Sequence, residues 1–175
     1  MQRLKRIVIY VVMVVGCYLL ETTVFPHLAL ASVIPNTLVI ITSSIGFMRG
    51  KREGMIMGFC CGLLKDILGG GLLGFYAFIY MMIGFGNGFF KRVFYDEDVK
   101  LPIALISVSE FLYSIAVYVF LFMLKSDFHF LHYLRHVIMP ELVYTILVTL
   151  VLYQIILHIN RRLEEEEKRS ASRFV

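Results

Sequence analysis

Apolar residues run along this chain in long blocks, not in the short bursts that mark half-buried helices and strands. The blocks cover residues 7–25, 29–48, 54–68, 72–90, 101–124 and 137–160. Most of them reach the roughly 20 residues needed to cross a bilayer core about 30 Å thick. Lipid offers no hydrogen bonds, so each backbone polar group must be satisfied within its own segment and each span is predicted to be an α-helix. The pattern therefore predicts an all-α polytopic membrane protein, a six-transmembrane-helix bundle. Pro35, Pro102 and Pro140 are expected in or near the first turn of the second, fifth and sixth helices, where a missing N–H costs nothing. Pro26 is expected to close the first helix. The third block is short, and either continues into the glycines that follow or crosses a thinner region.

Composition sharpens this picture. Of 175 residues, 59% are hydrophobic and 17% charged, below the roughly 25% charge of soluble domains, and the mean hydropathy is +0.79. This leaves no room for a soluble domain: residues 1–175 read as one integral membrane domain, with 161–175 as a short charged tail extending the last helix. Fourteen Lys and Arg residues fall on one side of the predicted spans and two on the other, so both termini are expected to be cytoplasmic. The net charge of +4 reflects that bias and does not indicate a nucleic-acid partner. The first apolar block is too long, and Glu21, Pro26 and His27 too intrusive, for a cleaved leader ending near Ala29–Leu30–Ala31. Cys17, Cys60 and Cys61 all lie within spans and read as small packing residues.

One stretch breaks the apolar monotony: GLLKDILGGGLLG, residues 62–74. Counting back from Asp66 in fours meets Gly62, Gly58 and Gly54, and residues four apart share a helix face. Such a glycine stripe admits another helix at close range, and it turns Asp66 into the bundle. Lys65, rotated by about 100° from Asp66, is expected to snorkel outward. The glycines at 69–71 and Gly74 predict a tight hairpin into the fourth helix, whose own Gly84 and Gly88 stand four apart. An intramembrane carboxylate is costly and marks a candidate functional residue. For Asp66 the candidate partners are Lys65, Asn36 and nearby Tyr or Ser hydroxyls, and its candidate roles are a register-fixing strut, a substrate or proton site, or a contact to another membrane protein.

Glu110, near mid-depth in the fifth helix, is the second candidate, with Ser107 and Ser114 as possible partners. Glu141 is expected to interact with a helix N-terminus, and Glu21 lies near the outer end of the first helix. His129, His132 and His136 can share one face of an interfacial segment, but without cysteine or acidic support they read as interfacial histidines, and no metal site is expected. The tail's Glu164–Lys168 and Glu165–Arg169 spacings suit helical ion pairs. No Gly-x-Ser-x-Gly, His-Glu-x-x-His or phosphate-binding loop occurs, so neither an enzyme nor a cofactor is expected.

The runs PNTLVIITSSIGFMRGKREG, MGFCCGLLKDILGGGLLGFYAF and MIGFGNGFF together resemble the rod shape-determining protein MreD family over about a third of the chain. The shared pattern comprises Pro35, Arg49, Gly50, Gly54, Gly58, Gly62, Asp66, Gly71 and Gly74. LETTVF in the first span departs from the segment commoner in that family, and the last two spans match only in hydropathy. The resemblance implies a non-catalytic scaffold of the cell-wall elongation machinery in a bacterial plasma membrane. It would bind the bitopic protein MreC and, through it, the MreB filament and the RodA–class B penicillin-binding-protein synthase. The family's bundle is also similar to the substrate-binding subunits of energy-coupling-factor transporters, which makes a vitamin-uptake subunit the alternative.

Overall fold

A computed structural model describes residues 2–28, 33–69, 72–93, 100–125 and 133–171. Among the described residues six α-helices follow in chain order: α1 (Gln2–Leu19), α2 (Thr37–Arg49), α3 (Lys51–Gly69), α4 (Phe75–Asn87), α5 (Lys100–Lys125) and α6 (Met139–Ala171). Among the described residues there is no β-strand. Three helical stretches among the described residues, Leu4–Leu28, Lys100–Phe120 and Leu134–Glu167, are long and apolar enough to cross a membrane.

The second apolar block corrects the simple picture of equal spans. Its helix begins at Thr37, not near residue 29, and has 13 residues, about 20 Å of rise and short of a bilayer core. Asn36 sets the start: its backbone is non-helical and its Oδ1 accepts the Val39 N–H at 3.2 Å, a standard N-cap bond. Pro35 precedes this cap and so lies outside the first helical turn, keeping Ile34 out of the helical region. Every residue from Thr37 to Met48 is buried, so α2 is apolar because protein surrounds it on all sides. Leu38, Ile41, Ile45 and Met48 centre a core shared with Met57 and Cys61 of α3, Tyr80 of α4, Tyr113 of α5 and Ile156 of α6.

The third block is longer than its apolar letters suggest. Helix α3 takes in the charged Lys51–Glu53 turn and runs 19 residues. A single residue, Gly50, separates it from α2, at φ 101°, a left-handed conformation that favours glycine.

Both proline expectations at helix ends change in the same way. A π-turn spans Leu20–Val24 ahead of Pro26, which itself sits in a 3₁₀ turn at Phe25–Leu28. A second π-turn, Leu134–Ile138, precedes Pro140. Pro140 therefore does not open the sixth helix. Proline lacks an N–H and its ring crowds the carbonyl four residues back, and the wider turn upstream accommodates that defect. Pro102 does fall in the first turn of α5.

Polarity is distributed as in a protein dissolved in lipid. Ile7, Val11, Ile56, Leu68, Phe78, Leu112, Leu147 and Val151 are exposed, while Asp66, Asn87, Ser109, Glu110, Thr149 and Asn160 are buried. Asn87 shows how the interior polar groups are used: its Nδ2 donates to Ser109 Oγ at 2.7 Å and to the Ile83 carbonyl at 2.9 Å, tying α4 to α5.

Candidate functional site

Helices α3 and α4 make the closest contact in the bundle, and the glycines permit it. A Cβ on Gly62 would strike the backbone of Tyr76 and Ala77, and one on Gly58 that of Tyr80 and Met81. One on Gly54 would strike Gly84 and Gly46, and one on Gly84 would strike Gly54 in return. Gly46 of α2 thus joins the stripe; it continues the count in fours back through Gly50, but from another helix. Gly88 closes the contact against Gly50 and Lys51.

Asp66 ends this face, 2% exposed. Its partners are neither Lys65 nor Asn36. Oδ2 accepts the N–H groups of Gly74 and Ala77, and Oδ1 that of Tyr76, each at 3.0 Å. Three of the otherwise orphan amides at the start of α4 therefore converge on one carboxylate from α3, a charge that the positive end of a helix also favours. Gly74 makes this geometry possible with φ 95°; it has open space around it, so conformation and not crowding requires glycine there. Gly71, and the expected glycine turn around it, lie outside the described residues.

Lys65 turns inward, against the expectation of snorkelling. Nζ lies 3.1 Å from Glu21 Oε1 and 3.4 Å from Tyr80 Oη. The rings of Tyr76, Tyr80 and Tyr113 surround it at 5.5, 5.8 and 5.3 Å, within cation–π range. The other Glu21 oxygen, Oε2, accepts from Thr37 Oγ1 at 3.0 Å and from the Leu38 N–H at 3.4 Å. Tyr80 Oη donates to Asn36 Oδ1 at 2.7 Å, and the Asn36 N–H donates to Thr145 Oγ1 at 3.2 Å. One polar network thus joins α3, α4, α2 and α6 to the π-turn after α1. Tyr76 and Tyr80 stand four apart, a legible signal; Tyr113 comes from α5 and gives none.

Glu110 is buried to 1% exposure, and neither of its oxygens has a hydrogen-bond partner. The expected serines do not serve it: Ser107 Oγ donates to the Ile103 carbonyl, and Ser114 Oγ is itself unpartnered. Glu110 instead stands close enough to Glu141 for the two carboxyls to interact, without a well-formed hydrogen bond between them. Glu141 does not sit at a true helix start, because the Leu134–Ile138 turn runs into α6 ahead of it. Glu21, Asn36, Lys65, His136 and Glu141 line a cavity of about 630 Å³. His129 and His132 lie outside the described residues. Among the described residues no group of three or more His, Cys, Asp or Glu side chains is arranged to hold a metal.

At the opposite end of the bundle Arg49 is the organiser. Its Nε donates to Asn160 Oδ1 at 2.6 Å, and its Nη1 lies 2.8 Å from Glu167 Oε2. Arg6 pairs with Glu167 at 3.2 Å and with Glu53 at 3.0 Å. Glu164 accepts from Asn160 and approaches Arg49 at 3.8 Å. The tail helix is thereby clasped to α1, α2 and α3, a role that four-residue spacing within the tail does not disclose.

Apolar outer surfaces, buried polar residues and a carboxylate locked between two glycine-faced helices define an all-α membrane protein. The chain belongs to the MreD family: the model of the rod shape-determining protein MreD matches residues 1–162. No curated protein and no solved structure matches the chain.

Proposed function

We propose that this protein is a non-catalytic scaffold of the bacterial cell-wall elongation machinery, embedded in the plasma membrane through six helices with both termini cytoplasmic. It holds a bitopic MreC-like protein and, through it, MreB and the RodA–class B penicillin-binding-protein synthase. Membership of a rod-shape family over residues 1–162 carries this reading. The architecture supports it: α3 and α4 form a rigid pair behind a buried core, while apolar faces on α1, α5 and α6 stay uncovered. Helices in lipid have no hydrophobic drive toward one another, so partners must be held by close packing and a few polar contacts. Affinity purification from native membranes is expected to recover a bitopic partner, and depletion is expected to round or widen a rod-shaped host. Purification without such a partner, with normal rods after depletion, would overturn the reading.

The orientation draws on the 14-to-2 distribution of Lys and Arg and on the Arg6–Glu167 pair, which brings both ends of the chain to one side. A reporter fused at Ser170 is expected to read cytoplasmic and one at Ser126 external. A cytoplasmic reading at Ser126 refutes this topology.

The transporter-subunit alternative is favoured by one observation, the polar cavity beside Lys65 and Glu141. Saturable binding of a labelled vitamin by the purified chain would select it.

A further inference from the structure

The polar cavity carries more unsatisfied chemistry than scaffolding requires. Its charged wall holds two carboxylates and one lysine: Lys65 lies 3.1 Å from Glu21, and Glu141 faces the same space with Glu110 close to it. One buried group that faces it awaits a partner: Asn36 lines the cavity at 2% exposure with its Nδ2 unpartnered. A buried polar group left without a hydrogen bond costs free energy, and a ligand that supplies the missing partner recovers it. The volume of about 630 Å³ falls within the usual range of small-ligand sites, about 300–1,000 Å³. Leu20, Val24 and Leu28, which flank the cavity-lining Glu21, Thr22 and Pro26 along the chain, are exposed and apolar and suited to lipid chains.

We propose that this cavity binds a primary ammonium group next to an anionic or ester oxygen, and that its source is the headgroup of an ethanolamine phospholipid. The ammonium meets Glu141 at the cavity wall. The phosphate takes the free Asn36 Nδ2 donor on the Lys65 side of the cavity. A trimethylated headgroup has the same charge but no N–H to donate, so it loses the charge-assisted bond. The proposal is independent of the scaffold reading, since a shape-determining role survives without it.

The test uses the full-length purified chain in detergent, titrated with phosphatidylethanolamine, phosphatidylcholine and phosphatidylglycerol of matched acyl chains, with bound lipid read by native mass spectrometry. Phosphatidylethanolamine is expected to bind about tenfold more tightly than phosphatidylcholine, the scale of one charge-assisted hydrogen bond. Glu141→Gln is expected to abolish that preference, and Glu165→Gln, on the exposed tail, to leave it intact. Because the comparison of the two lipids is made on the unaltered protein, it stands even where Glu141→Gln folds poorly. Soluble O-phosphoethanolamine separates the sources. If it displaces the lipid at equal concentration, the site recognises the ammonium chemistry but the lipid assignment falls. Equal binding of phosphatidylethanolamine and phosphatidylcholine, a preference for phosphatidylglycerol, or a preference retained in a folded Glu141→Gln variant would overturn the proposal.

Discussion

Gly62→Ala is expected to destabilise this protein by about 3 kcal/mol, at the upper end of the cost of overpacking a filled interior. The added methyl would meet the Ala77 Cα and N and the Tyr76 carbonyl oxygen. These are main-chain atoms, and no rotamer change moves them aside, so α3 and α4 must separate. Separation has a second consequence, because Asp66 lies one turn further along α3 and reaches the amides of α4 at 3.0 Å. Even a few tenths of an ångström of displacement lengthens all three bonds together. Gly69→Ala is the control: Gly69 ends α3 with open space around it, and the change is expected to be neutral or slightly stabilising. In detergent the thermal midpoint of Gly62→Ala should fall by roughly 6–12 °C, from the usual conversion for chains of this size. If Gly62→Ala melts with the parent, the two helices are not in the contact described.

Asp66→Leu is the second large effect. Leucine has aspartate's branching, with bulkier methyl groups and no acceptor, so the N–H groups of Gly74, Tyr76 and Ala77 lose their partner in a buried site. At about 1–3 kcal/mol for each unsatisfied group, the loss reaches at least about 3 kcal/mol, and the start of α4 should fray. Asn behaves differently. With its carbonyl oxygen at the Oδ2 position it retains the bonds from Gly74 and Ala77 and loses only that from Tyr76. The expected order of stability in detergent is wild type, then Asn, then Leu, with Asn nearer to wild type. If the family role applies, the same order is expected in cells depleted of the native protein: Asn preserves rod shape and Leu does not. A stably folded Asn variant that fails to preserve shape would show that the charge itself is required. Normal rods with Leu at position 66 would remove Asp66 from any functional account.

Much of this was written in the one-dimensional pattern. Long apolar blocks specify helices in lipid because no other local structure satisfies the backbone there. The four-residue spacing of Gly54, Gly58, Gly62 and Asp66 places them on one face by helix geometry alone, and that face is where α4 packs. Resemblance in a third of the chain pointed to the family that the match over residues 1–162 then established.

Tertiary structure decided the rest, for reasons that local sequence does not hold. Hydropathy cannot distinguish a helix bathed in lipid from one enclosed by protein, since both are apolar all round; α2 proved to be the enclosed kind. Position along a span limits only how far the Lys65 side chain reaches, not which way it turns. Its inward turn depends on Glu21, Tyr80 and Tyr113, contributed by three other elements. The partners of Asp66 are backbone amides, which every residue but proline carries and which sequence therefore cannot single out. Glu110 and Glu141, 31 positions apart, meet only because α5 and α6 pack side by side. The sequence by itself thus determined that carboxylates stand inside the bundle, and only the packing of the helices decided which were satisfied and which were left facing a cavity.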